Sequence, residues 1–143
     1  GHALTMTYPF ACAKVEQAFD LEDGEARCGL LALRALIFET AAEVPAVGRV
    51  EEVLRWGQPA YVTPDSKSGS TVRLGVPKGA RFGLFVQCQS RLIPEYLATF
   101  PAWDRVEGTR AVLFDHPREV EPLRHGWLIK RALTYHIRAP IES

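Results

Sequence analysis

Ser70-Thr71-Val72-Arg73-Leu74-Gly75-Val76, then Pro77-Lys78-Gly79-Ala80, then Arg81-Phe82-Gly83-Leu84-Phe85-Val86-Gln87-Cys88: the reading of this stretch decides the fold class. Val72, Leu74 and Val76 alternate with Thr71, Arg73 and Gly75. That is the period of a strand with one face in a core and the other outside it. Arg81 to Cys88 repeats the pattern, with Phe82, Leu84, Val86 and Cys88 on one side. The four residues between are turn formers. Upstream, Gln58-Pro59-Ala60-Tyr61-Val62-Thr63 reads as a third strand, with Pro59 at its start, where no ladder N–H is needed. Residues 64–69 are a loop. Three strands joined by short connections predict an antiparallel meander.

Outward from the meander the period becomes helical. Residues 25–43 carry Leu30, Leu33, Leu36, Ile37, Thr40 and Ala41 at three- and four-residue steps, with Arg34 and Glu39 on the wet edge. A short helix is expected over 11–19, behind a loose arm at 1–9. A further helix is expected over about 47–55, with Val47, Val50, Val53 and Leu54 on one side. Downstream, the pattern predicts a helix over 91–99 capped by Ser90, then one or two short strands over 106–109 and 110–114. A last helix over 117–137 is expected to be weakened at Pro122 and Gly126. The order is helices, strands, helix, strand, helix. That is an α+β fold, a small mainly antiparallel sheet with helices packed on it.

The chain has 143 residues, 47% hydrophobic and 24% charged. That length fits one domain over 1–143 and leaves little room for a second. Disorder, collagen and coiled coil do not fit this composition. Seventeen basic and seventeen acidic side chains cancel. Zero net charge argues against a nucleic-acid or membrane-surface partner. The zero is a sum of unlike halves: residues 1–71 carry ten acids and six bases, residues 72–143 seven and eleven. Anion binding and self-association as a homodimer therefore stay open. Cys12, Cys28 and Cys88 are odd in number and lack metal-type spacing. They read as small buried hydrophobes in a reducing compartment, and with no signal peptide visible a cytoplasmic location is expected.

The segment Glu52-Val53-Leu54-Arg55-Trp56-Gly57-Gln58-Pro59-Ala60-Tyr61 resembles the signature of the family called domain of unknown function 1801, or YdhG-like. Pieces that match in order are Leu31–Ile37, Ser68–Gly75, Cys88-Gln89-Ser90, Glu107–Val112 and Ala132–His136. The resemblance spans roughly residues 25–138. It implies a compact domain with a small, largely antiparallel sheet, and no assigned reaction. Some members are described as frataxin-like iron chaperones. Such a role needs an exposed acidic ridge, because iron favours carboxylate oxygens. The acids on offer are Glu16, Asp20, Glu22, Asp23 and Glu25, which read more plainly as a solvated loop entering a helix.

No motif for a reaction is present. There is no nucleophile elbow, no P-loop and no histidine pair at metal-ligand spacing, so no cofactor and no metal is expected. Cys88 with a distant histidine is an alternative nucleophilic pair without local support. Lys67-Ser68-Gly69-Ser70-Thr71 leads into a strand rather than a helix, which argues against phosphate binding there. Arg124, Arg131 and Arg138, seven apart, form a basic stripe that could meet acids of the same chain. Two readings of the signature segment stay open. Trp56 at a helix end and Tyr61 on a strand form a core corner, or they form a pocket wall with Gln58. Thr71, Arg73, Gln87, Gln89 and Arg110 fall on the polar side of the sheet, where two guanidiniums and amides would suit an anion. The expected ligand is small and polar or anionic. The candidate site is Trp56, Gln58, Tyr61, Arg73, Gln89 and Arg110.

Overall fold

A computed structural model describes residues 8–137. The meander forms as expected: β2 (Gln58–Val62), β3 (Val72–Gly75) and β4 (Phe82–Phe85) are antiparallel neighbours. β1 (Glu51–Arg55) pairs with β2, while β5 (Arg105–Glu107) and β6 (Ala111–Phe114) form a hairpin whose β6 pairs with β4. The result is one six-stranded sheet in the order β1-β2-β3-β4-β6-β5, antiparallel throughout. The helices are α1 (Ala13–Asp20), α2 (Gly24–Ala42), α3 (Leu92–Thr99) and α4 (Pro122–Leu133). The fold class is α+β.

The largest departure from the sequence reading is residues 47–55. Here the chain makes a single 3-10 turn at Pro45–Val47 and then the edge strand β1. The three-residue spacing of Val47, Val50 and Val53 mimics a helix. The strand is decided by its partner, since Glu52 lies opposite Tyr61 and the turn at residues 56 and 57 closes the hairpin. The last helix is shorter than expected. A 3-10 turn at Pro117–Glu119 precedes α4, and Pro122 is the first residue of α4 instead of an interruption within it. Proline suits that position because the first helical N–H groups have no partner. Gly126 lies inside the helix.

One face of the sheet carries the core. Tyr61, Val72, Leu74, Phe82, Leu84, Val86, Val112 and Phe114 meet Leu30, Leu33 and Ile37 of α2 and Leu128, Ile129 and Ala132 of α4 in one buried cluster. α2 approaches the sheet closely at Gly29, where an added Cβ would fall 2.1 Å from Phe82 Cζ. Phe82 in turn stacks flat on Phe114, with ring centroids 4.8 Å apart. Val53, Ala60, Arg73, Phe85 and Ala111 occupy one cross-strand row on the other face. Phe85, Ala60 and Ala111 are buried yet stand outside the core cluster. This second face is the open face.

Arg34 is not on the wet edge of α2. It is buried, and it clamps β1 to α2. Its Nε and Nη2 donate to the two carboxylate oxygens of Glu52 at 2.6 and 3.0 Å. Tyr61 donates its hydroxyl to the same carboxylate at 2.6 Å. Nη1 donates to the carbonyl of Tyr8 at 2.6 Å, and the guanidinium lies 3.8 Å over the Phe10 ring. Burial and then the Glu52 charge push the Tyr61 phenol well above its ordinary range. Residue 138 of the basic stripe lies outside the described residues. Arg124 and Arg131 pair with Asp104 and Glu95 of the same chain.

Candidate anion site on the open face

The site begins at the β1–β2 hairpin. Arg55 and Gln58 pair across it, so the connection is only Trp56-Gly57. Both residues take positive φ, +53° and +76°, as a tight turn matching the strand twist demands. Gly57 adopts this freely. For a tryptophan it is strained, by about 1–3 kcal/mol. The Trp56 side chain is 90% exposed. The core-corner reading of Trp56 is therefore replaced: the residue stands at a hairpin tip, outside the core.

Arg73 sits on β3, opposite Ala60 on one side and Phe85 on the other. Its guanidinium carbon lies 5.6 Å from the Phe85 ring centre and 6.0 Å from that of Trp56. Nη1 donates to Gln58 Oε1 in a short hydrogen bond. Gln58 reaches it by lying across β3 at Gly75, where an added Cβ would fall 2.2 Å from Gln58 Nε2. Gly75 thus leaves the space that lets Gln58 hold Arg73. Loss of water lowers the Arg73 pKa first, and the like charge of Arg110 lowers it further, while nearby Cys88 acts in the opposite sense. Among the described residues no carboxylate forms an ion pair with Arg73. Arg55, Trp56, Thr71, Arg73, Gln87 and Cys88 line a hollow of about 300 Å³.

Of the six residues expected from sequence, Trp56, Gln58 and Arg73 come together here. Arg110 lies just before β6, where its like charge acts on Arg73, and is exposed, with a 3.8 Å contact to Glu107. Tyr61 does not join them. Its side chain points to the opposite, helix-covered face, where it bonds Glu52. Gln89 is exposed in the turn after β4 and does not line the hollow. Arg55 and Phe85 were missed. Arg55 shares the open face with Val53, a relation legible only once residues 51–55 are taken as a strand.

A second polar cluster, also missed, joins α3, α4 and the loop before β5. Asp104 accepts from Arg124 Nε at 2.9 Å, contacts His125 Nε2 at 3.2 Å and takes a very short hydrogen bond from the Tyr96 hydroxyl. The Glu121 backbone N–H donates to His125 Nδ1 at 2.8 Å, so the ring hydrogen is on Nε2 and faces Asp104. Burial pushes the Asp104 carboxyl up, but the hydrogen bonds from His125, Arg124 and Tyr96 outweigh it and hold the carboxyl well below its usual range. Burial and then Asp104 raise the Tyr96 phenol. Asp104 and Arg124 of this cluster line a groove of about 400 Å³ together with exposed Trp103. Both nitrogens of His125 are committed and every charge has its partner, so the arrangement ties elements together and leaves no free base.

The acidic loop is likewise engaged. Asp20 pairs with Arg27, Asp23 caps α2 through the Ala26 N–H, and Arg81 lies between Asp23 and Glu25. Among the described residues no three His, Cys, Asp or Glu side chains gather as metal ligands. The cysteines are free thiols, and Cys28 and Cys88 are exposed, which corrects their reading as buried hydrophobes. Among the described residues no helix is long and apolar enough to cross a membrane. The chain matches no protein-family model, no curated protein and no solved structure.

Proposed function

We propose that this protein binds a small anion on the open face of its sheet, with Arg73 as the principal contact. The observation that supports this most directly is that, among the described residues, no carboxylate pairs with Arg73. Its side chain donates to a neutral amide, it is partly buried, and the like charge of Arg110 acts on it. Two guanidiniums that repel each other are relieved by an anion between or beside them, and a guanidinium edge suits carboxylate or phosphate oxygens. Elsewhere buried Arg34 and half-buried Arg124 each hold a carboxylate. Arg73 stands apart from that pattern. The likeness of the signature segment to the YdhG-like family belongs with this proposal. It rests on the quoted segments in their order and is consistent with an α+β sheet.

The test is titration with inorganic phosphate, followed by NMR of the Arg73 and Gln58 side-chain NH groups and the Trp56 indole NH. Shifts that saturate, and that vanish in Arg73→Gln, support anion binding at this face. Saturable binding that is undiminished in Arg73→Gln, or no saturable shift, refutes it.

A further inference from the structure

Trp56 is unexplained by the folded chain alone. A large ring held 90% exposed loses the gain of burial, and φ of +53° adds backbone strain that Asn or Gly would avoid at the same turn position. Both penalties fall on the residue that walls the hollow beside Arg73. The ring faces a guanidinium at 6.0 Å, with Thr71 and Gln87 on the rim as hydrogen-bonding groups. Arg55, Arg73 and Arg110 bring three positive charges to this end of the open face, and Glu107 offsets part of one. Charge of that size suits a dianion better than a monoanion.

We propose that the ligand is a flat aromatic or heteroaromatic ring carrying a dianionic group such as phosphate, the ring stacked on Trp56 and the anion held by Arg73. This deepens the anion-binding reading and rests on it. The exposed tryptophan supplies a sequence-tolerant stacking platform, and the arginines supply the charge. The size of the hollow, about 300 Å³, accepts one ring with its headgroup and little more. Gln58 holds one edge of Arg73, so the rest of the guanidinium is left to the ligand.

The experiment compares dissociation constants for inorganic phosphate, phenyl phosphate and benzyl alcohol on the wild-type chain, Trp56→Ala and Arg73→Gln. Trp56 is exposed, so its removal leaves the fold intact, and a circular-dichroism melt checks this for each variant. Phenyl phosphate is expected to bind about tenfold more tightly than inorganic phosphate, the usual size of a stacking contribution. In Trp56→Ala the ratio of the two affinities should fall to near unity. Arg73→Gln should lose both anions, and benzyl alcohol should bind none of the three proteins measurably. Equal affinity for the two anions on the wild type, or an advantage that persists in Trp56→Ala, overturns the ring proposal and leaves anion binding standing. Failure of both anions to bind overturns anion binding itself.

Discussion

Replacing Glu52 with alanine should be among the most costly single changes in this molecule. The side chains of Arg34 and Glu52 are 6% and 8% exposed, so neither charge can be rescued by water without opening the structure. Removing the carboxylate strands Arg34 between Phe10 and Phe38 and leaves the Tyr61 hydroxyl without its acceptor. Breaking a buried ion pair from one side costs about 3–5 kcal/mol. The lost tyrosine bond belongs to the same network and is not added on top. A domain of this size has about 5–15 kcal/mol in all, so the variant should melt about 10 °C lower, or more. Urea unfolding of Glu52→Ala, Arg34→Met and the Arg34→Met/Glu52→Leu double variant measures the coupling. The double variant should recover much of the loss, because it buries no lone charge. A cost under about 1 kcal/mol for Glu52→Ala, or a double variant as poor as the sum of its singles, would refute the reading of this pair as a buried, coupled clamp.

Asp104 predicts a sign for the pH dependence. Its folded pKa is depressed below the unfolded value, so its stabilisation is fully present above about pH 4 and is lost as the pH falls towards the folded value. Melts of wild type and Asp104→Asn should differ most at neutral pH and converge in acid; curves that run parallel down to about pH 2 would contradict this. Gly29→Ala pushes a methyl into the Phe82 ring, which cannot retreat because it stacks on Phe114, and should cost about 1–3 kcal/mol in chemical denaturation. Gly75→Ala meets only the flexible end of Gln58. It should leave the melting temperature nearly unchanged while phosphate affinity, read by titration, drops several-fold. Trp56→Asn should raise stability by about 0.5–1 kcal/mol, because Asn-Gly is the favoured pair for this turn.

The sheet was legible where its two faces differ in chemistry. Val72, Leu74, Phe82 and Leu84 alternate with Arg73, Gly75 and Gly83, and the meander follows from that alone. β1 was not legible, for a physical reason. Between Val50 and Leu54, which pack against the core, stands Glu52, an acid that belongs inside only because Arg34 of α2 and Tyr61 of β2 meet it there. Alternation is hidden when a buried position is filled by half of a long-range ion pair, and Arg34 was misplaced on the wet side of α2 by the same concealment. The candidate site suffered in turn. Once 51–55 is a strand, Trp56 moves from a helix end to a hairpin tip, Arg55 joins the open face, and Tyr61 goes to the other side of the sheet from Arg73. Arg73 itself was readable as a polar residue on an alternating strand, but that no carboxylate among the described residues pairs with it was not. Arg34 and Arg124 look no different from it in sequence, and only the fold shows that they hold carboxylates while Arg73 meets the amide of Gln58. Which charge meets which is a property of three-dimensional pairing. Among the described residues Arg73 is the partly buried arginine that holds no carboxylate, and that is why the proposed anion is placed there.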